Sequence, residues 1–117
     1  IDACPTSAIV EPYVVDGSKC IAYATIEIPA DQPIPDQIQA NMEQWIFGCD
    51  ICQDVCPWNR FSKPSEIQAF VTIDALKEES VPVFEEMNEK VFDTLFKSTP
   101  LERPGLKGMR RNQKIRV

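Results

Sequence analysis

Apolar and polar positions change in short blocks along the chain, and these blocks predict small helices with little strand. The apolar segment 8–15 is interrupted by a proline and followed by Asp16-Gly17, which predicts a short hairpin or two extended pieces. Ser18 can then cap a first helix that runs through Tyr23 and ends where several prolines begin an irregular connection. We expect Tyr23 in the core of this region.

A second helix is predicted before the central cysteines. Asp36 stands at its predicted N-cap, and Gly48 at its predicted end. Four apolar residues recur at helical spacing on one face: Ile38, Met42, Trp45 and Ile46. This pattern indicates a helix that packs against a core just ahead of the cysteine segment.

Three further helices are predicted after a loop at residues 62–65. Thr72 opens the first, with Glu78 on its solvent side, and Asn88 caps the second. The third begins at Leu106, after two interrupting prolines. Three aromatic residues are expected in the core: Phe84, Phe92 and Phe96. The predicted fold is therefore small and mostly α.

Charge is distributed unevenly along the 117 residues. Residues 1–96 carry five Lys and Arg against 17 Asp and Glu, whereas residues 97–117 carry seven basic residues against one acidic residue. A basic tail on an acidic body indicates an anionic partner, or a helix face that is solvated or pairs with the body. Charge alone favours the second interpretation.

No apolar run is long enough for a membrane-spanning helix.

The strongest chemical signal is the run Cys49-x2-Cys52-x3-Cys56-Pro57. The chain has five cysteines and no histidine, which fits a closed disulfide framework poorly and excludes the commonest mixed zinc sites. Bacterial iron–sulfur motifs read C-x2-C-x2-C-x3-C-P, and their last cysteine binds the other cluster of a pair. The run therefore predicts iron–sulfur ligands.

Cys4-Pro5 repeats the end of that motif, so we expect the earlier cysteines before Ile1 and take the chain for part of a longer protein. By the cross-ligation rule, Cys4 serves the cluster of the second run, and Cys20 is left as its fourth ligand. The predicted set for one complete cluster is Cys4, Cys20, Cys49 and Cys52. The remaining Cys56 is predicted to reach a second cluster.

Two alternatives for the thiols stay open. A Cys4 zinc site usually has two C-x2-C pairs, and this chain has one. Oxygen damage to a cluster leaves disulfides or free thiols. Near the thiols, we expect Trp58 to pack over the site, Thr25 to act as a cap and Asp50 to cap the loop or face a bound cofactor.

Four stretches of the chain resemble epoxyqueuosine reductases. They are the opening IDACPTSAI, the segment CIAYATIE at 20–27, the string GCDICQDVCPWN at 48–59 and the tail PLERPGLKGMRRN at 100–112. The resemblance spans nearly the whole chain. With it, we divide the chain into a ferredoxin-like dicluster region at 1–60 and a helical segment with a basic tail at 61–117.

The resemblance implies an oxidoreductase that reduces epoxyqueuosine to queuosine at the wobble position of tRNA, using cobalamin and two [4Fe-4S] clusters. It places Asp50 and Glu27 beside the cobalamin, and it lets the tail 97–117 touch tRNA phosphates. The catalytic domain is expected upstream, so this chain should be inactive alone. The location expected is cytoplasmic, without a membrane; the oligomeric state stays unknown.

Two functions of other classes compete with this one. A dicluster ferredoxin that only carries electrons would repeat the full motif twice, but here the distant Cys20 replaces the first cysteine of the second run. A zinc-stabilised nucleic-acid module is disfavoured by the acidic body.

Overall fold

The computed structural model describes residues 1–70, Leu76 and residues 83–115, so the helix predicted at Thr72 lies outside the described residues. The described residues form five α-helices: α1 (Ile21–Ile26), α2 (Asp36–Gln39), α3 (Ile51–Asp54), α4 (Glu89–Phe96) and α5 (Gly105–Ile115). Short 3-10 helices lie at Gly17–Lys19, Pro57–Phe61, Gln68–Phe70 and Pro100–Glu102. The predicted small, mostly α fold is confirmed.

The predicted hairpin is present, and its turn lies at the proline that interrupts the apolar segment. Strands β1 (Ile9–Glu11) and β2 (Val14–Val15) pair antiparallel, with Ile9 opposite Val15. Tyr13 forms the tip with a φ of 67° and is fully exposed. After the hairpin, Asp16 accepts the backbone N–H of Ser18 at 3.1 Å and caps a 3-10 helix that begins at Gly17.

The N-cap of helix α1 lies two residues later than predicted. Cys20 is its N-cap, so the capping role assigned to Ser18 was wrong; Ser18 is held by Asp16 instead. The helix buries Ile21, Ala24 and Thr25. Tyr23 falls on the opposite face and is 47% exposed, so its predicted core position was also wrong.

The second predicted helix is much shorter than expected. Helix α2 has Pro35 as its N-cap and Asp36 as its first residue, and it ends at Gln39. The chain then turns, with Glu43 at a φ of 49°. Ile38 and Met42 are buried as predicted. The helix therefore includes Ile38 alone of the four apolar residues predicted on its face, because it begins after Pro35 and the chain turns before Trp45.

Two apolar clusters support the fold. The phenylalanine cluster consists of Phe84, Phe92, Phe96, Leu101, Leu106 and Met109. The isoleucine cluster consists of Ile21, Ala24, Ile34, Ile38 and Met42, with Trp45, Cys49 and Ile115 packed against it. Burying each large apolar side chain stabilises the fold by about 1.5–3 kcal/mol. Helix α5 contributes to both clusters and so connects them.

Helix α4 follows the predicted pattern closely. The Asn88 side chain accepts the backbone N–H of Val91 at 3.0 Å, which confirms the predicted N-cap. The rings of Phe92 and Phe96 lie on its buried face, 5.1 Å apart between centroids.

No helix in the described part of the chain has the length and hydrophobicity that a bilayer crossing requires.

Candidate metal centre

Four cysteines from three separate stretches line one cavity of about 110 Å³. Cys4 precedes the hairpin, Cys20 caps α1, and Cys49 and Cys52 flank the start of α3. The remaining lining residues are Pro5, Thr6, Ala8, Ile9, Val15, Ile21 and Ile51. All of the cysteines are free thiols. The structure thus brings together the four residues that the sequence grouped, inside largely apolar walls.

The four thiols line the cavity without forming a site for one ion. Among the described residues, no group of three or more Cys, Asp or Glu stands close enough to hold a single metal ion. A single zinc ion needs its sulfur ligands about 2.3 Å from one centre.

Cys4 is held in a tight turn that donates hydrogen bonds to its sulfur. The backbone N–H of Ala8 lies 3.3 Å from Cys4 Sγ, and the hydroxyl of buried Thr6 lies 3.6 Å from it. Burial raises the pKa of the Cys4 thiol, but the hydrogen bonds from Thr6, Ala8 and Ile9 outweigh it, so the pKa lies below its usual value. The turn therefore favours the thiolate.

Cys49 has the opposite electrostatic environment. Burial is the main reason that its pKa lies above the usual value, and the neighbouring charges of Cys52, Cys20 and Cys4 raise the pKa further. The backbone N–H of Ile51 acts against this rise. Bringing four thiolates together is therefore unfavourable without a cation, and a bound metal centre relieves the repulsion.

Cys56 lies apart from the other four thiols. It lines a separate groove of about 470 Å³ with Gln53, Asp54, Asn59, Arg60 and Ser62. Next to it, three apolar side chains are exposed: Val55, Trp58 and Phe61. Trp58 is 84% exposed, so the prediction that it packs over the site was wrong. Trp58 belongs to the 3-10 helix Pro57–Phe61 that follows Cys56.

The two residues predicted beside cobalamin lie in different surroundings. Asp50 is exposed at the N-cap of α3. Glu27 is ion-paired with Arg103 at 2.7 Å and lines a groove of about 550 Å³. Phe47 and Thr99 are among the other lining residues of this groove. A cofactor role for either carboxylate stays a prediction.

Most basic residues of the tail make contacts within the chain. Arg110 donates to the carbonyl oxygens of Phe84 and Met87, and Lys114 pairs with Glu85 at 3.3 Å. Arg111 donates to the carbonyl oxygens of Ala24, Ile28, Pro29 and Gln32. These contacts support the interpretation that the tail pairs with the body, and they join residues across the predicted boundary at 60.

The sequence patterns missed one buried group. Asn112 is fully buried and donates to the carbonyl oxygens of Thr25 and Ile46, each at 2.8 Å. Its partners lie 87 and 66 residues away in the chain. The polar Asn112 between apolar positions of a predicted helix was the one available signal.

A family model described as a 4Fe-4S double cluster binding domain matches residues 1–59. The chain belongs to this family. The match covers all five cysteines, those around the shared cavity and Cys56 alike. The match confirms that the fold includes a dicluster region, and the division of the chain at residue 60 stays a prediction.

Proteins named epoxyqueuosine reductase are similar to nearly the whole chain. The one from Leadbetterella byssophila is 52% identical over 112 residues, which are 96% of this chain and 35% of that protein. The one from Cyclobacterium marinum is 49% identical over 96% of this chain and 34% of that protein. The chain therefore spans about a third of the length of the curated relatives it matches.

A solved structure has the same fold. A crystal structure of an epoxyqueuosine reductase with an epoxyqueuosine-modified tRNA-Tyr stem loop matches with a TM-score of 0.82 and 25% identity. The match covers 97% of this chain and 30% of that one. The resemblance inferred from the motifs is confirmed by these relatives.

Proposed function

We propose that this chain is the cluster-binding part of a longer epoxyqueuosine reductase, an oxidoreductase that converts epoxyqueuosine to queuosine at the wobble position of tRNA. The observation that carries the proposal is the convergence of Cys4, Cys20, Cys49 and Cys52 on one cavity within the double-cluster family. The relatives that share about half of the chain's residues support the named activity.

In this proposal the four converging thiols hold one [4Fe-4S] cluster. The cavity of about 110 Å³ between them leaves room for several atoms, which favours a cluster over a single zinc ion. Cys56, in its own groove, is proposed as a ligand of a second cluster whose other ligands lie outside this chain. When bound, such clusters accept and release one electron at a time.

The chain's own residues then set the environment of the centre. The Ala8 N–H and the Thr6 hydroxyl stabilise negative charge on Cys4. Ile21 and Ile51 contribute apolar side chains to the lining of the cavity. Hydrogen bonds to sulfur and the degree of solvent exposure are two of the means by which proteins tune the potential of a cluster.

Removing an epoxide oxygen takes two electrons, so a one-electron carrier must act with a cofactor that can use them at the substrate. We propose cobalamin for this role, with Glu27 and Asp50 near it. The groove beside Glu27, with the adjacent cation of Arg103, supports the placement of Glu27; Asp50 is not among the residues that line this groove. The acid that supplies protons is expected in the upstream part of the protein.

The tRNA contact proposed for the tail depends on the cations that remain accessible. Lys97 and Lys107 are exposed, whereas Arg110 and Arg111 donate to backbone carbonyl oxygens. Lys and Arg at tRNA phosphates contribute affinity that falls with salt. A tRNA substrate implies a cytoplasmic location.

The test is the metal content and activity of the natural-length protein purified without oxygen. We expect iron and acid-labile sulfide, broad visible absorption, and conversion of epoxyqueuosine tRNA when cobalamin and a reductant are added. The 117-residue chain alone should give no turnover. Zinc without iron would contradict the cluster, and loaded clusters without conversion would support the ferredoxin-type electron carrier.

A further inference from the structure

Two cysteine-bearing segments are joined by hydrogen bonds directly beside their thiols. Thr25 Oγ1 accepts the backbone N–H of Gly48 at 3.0 Å and donates to the carbonyl oxygen of Ile21 at 2.8 Å. Ile21 follows Cys20 in the chain, and Gly48 precedes Cys49. One buried hydroxyl therefore connects the neighbours of two proposed cluster ligands.

The side-chain amide of Asn112 makes a second connection between the same two segments. Its nitrogen donates to Thr25 on α1 and to Ile46 on the segment that leads to Cys49, at 2.8 Å each. The amide is fully buried, so water cannot replace either bond. The two segments are thus held at two points, by a hydroxyl and by an amide from a third element.

Arg111 fixes the orientation of that amide. Its Nε donates to Asn112 Oδ1 at 3.0 Å, which leaves the amide nitrogen facing the two carbonyl oxygens. Its Nη1 atom donates to three carbonyl oxygens beyond α1, and its Nη2 atom to Ala24 within it. The planar guanidinium therefore attaches α5 to the end of α1 opposite Cys20.

We propose that Thr25, Asn112 and Arg111 are positioning residues that fix the separation of the Cys20 and Cys49 thiols and so retain the cluster. This inference rests on the proposed function. A cluster demands fixed distances between its ligands, and the two thiols come from segments that the chain alone does not hold together. Residues behind the ligands commonly govern metal retention in this way.

A matched pair of substitutions at Thr25 tests the proposal in the natural-length protein, loaded anaerobically. Thr25→Val keeps the side-chain volume but removes the hydroxyl, whereas Thr25→Ser keeps the hydroxyl. We expect Thr25→Val to lose iron to a chelator about 10-fold faster than the unsubstituted protein and to alter the electron paramagnetic resonance spectrum of the reduced cluster. Thr25→Ser should restore both properties.

A control separates positioning from general stability. Phe92→Leu weakens the phenylalanine cluster from α4, a helix that makes none of the network's hydrogen bonds; among the residues of the network, Ile46 packs against this cluster. The substitution should lower the unfolding temperature and leave the rate of iron loss unchanged. Equal iron loss in Thr25→Val and the unsubstituted protein, or equal acceleration by Phe92→Leu, would overturn the inference. An unsubstituted protein without iron and sulfide would instead contradict the proposed function.

A second variant covers the case in which Thr25→Val does not fold. Arg111→Lys keeps the charge on α5, but one ammonium cannot donate to Asn112 and to all four carbonyl oxygens at once. Faster iron loss with an ordinary far-ultraviolet circular dichroism spectrum supports the positioning role. An unchanged rate of iron loss in Arg111→Lys would speak against it.

Discussion

Arg103 and Glu27 are joined by an ion pair across 76 positions of sequence. Nη2 and Nε of Arg103 lie 2.7 Å and 2.9 Å from the same carboxylate oxygen, Oε2. Both side chains are partly exposed, so solvent screens the attraction. The ion pair contributes little to the free energy of unfolding. Its main effect is to hold the end of α1 beside the 3-10 helix Pro100–Glu102.

Glu27→Gln and Arg103→Met should each lower the free energy of unfolding by less than about 1 kcal/mol, because exposed ion pairs contribute little. The double variant should be at most a few tenths of a kcal/mol less stable than the less stable of the two single variants. Urea unfolding of all four proteins measures this. A much larger loss in Glu27→Gln alone would reveal contacts of Glu27 beyond the ion pair.

The division of the cysteines predicts different effects for two matched substitutions. Cys20→Ser removes a thiol from the shared cavity, and Cys56→Ser removes one from the separate groove. In the natural-length protein each substitution should lower the iron and sulfide content by the equivalent of one cluster. Cys20→Ser should lose the cluster of the shared cavity, and Cys56→Ser should lose the second cluster. Electron paramagnetic resonance of the two variants should therefore show complementary signals; identical signals would show that both thiols bind the same cluster.

The two perturbed thiols predict a difference in reactivity with pH in the metal-free, reduced protein. The pKa of Cys4 lies below its usual value, and that of Cys49 lies above. Because the thiolate is the nucleophile, alkylation of Cys4 should reach half its maximal rate at a lower pH than that of an unperturbed cysteine, and alkylation of Cys49 at a higher pH. Mass spectrometry of iodoacetamide-treated peptides gives both rates.

The same measurement in denaturant is the control, since unfolding removes burial and hydrogen bonds from both thiols. Their alkylation profiles should then coincide. If the two profiles already coincide in the folded protein, the turn at Ala8 does not stabilise the Cys4 thiolate.

The proposed tRNA contact predicts a specific effect of one tail lysine. Lys107→Glu should weaken binding of the natural-length protein to substrate tRNA at low salt and reduce the salt slope by about one charge. Lys90→Glu makes the same charge change on α4, outside the tail, and should have little effect. Binding is measured by filter retention at several salt concentrations. Equal losses of tRNA affinity in Lys107→Glu and Lys90→Glu would show that only the overall charge of the protein matters and that Lys107 makes no specific contact.

Substituting Arg110 and Arg111 would not test this contact. Their guanidinium groups hold backbone carbonyl oxygens, so Arg111→Glu would place a carboxylate against the carbonyl oxygens of Ile28 and Pro29. Lost binding in such a variant would report a damaged fold.

Local patterns in the sequence predicted the features that depend on neighbouring residues. Asn88 caps α4 as expected, because its partner Val91 is three residues away. The C-P endings grouped four cysteines that do line one cavity. Capping and ligand spacing are set within a few residues, so the sequence shows them directly.

Features that depend on distant segments were not predictable in this way. The predicted helix from Asp36 is longer than the observed one. Apolar residues recur at helical spacing through Met42 and Trp45, but the backbone turns at Glu43. Tyr23 was placed in the core, but α1 buries its other face. The network of Arg111 and Asn112 joins α5 to segments more than 60 residues earlier, and no local pattern indicates such partners.

The position of α5 in the chain has a consequence for biosynthesis. All five cysteines lie within the first 56 residues, whereas Asn112 and Arg111 come near the end of the sequence. On the ribosome, the thiols emerge before the helix that braces them has been translated. We expect the cluster to be retained only after α5 has left the exit tunnel, so cluster assembly depends on a part of the chain that is translated well after the ligands.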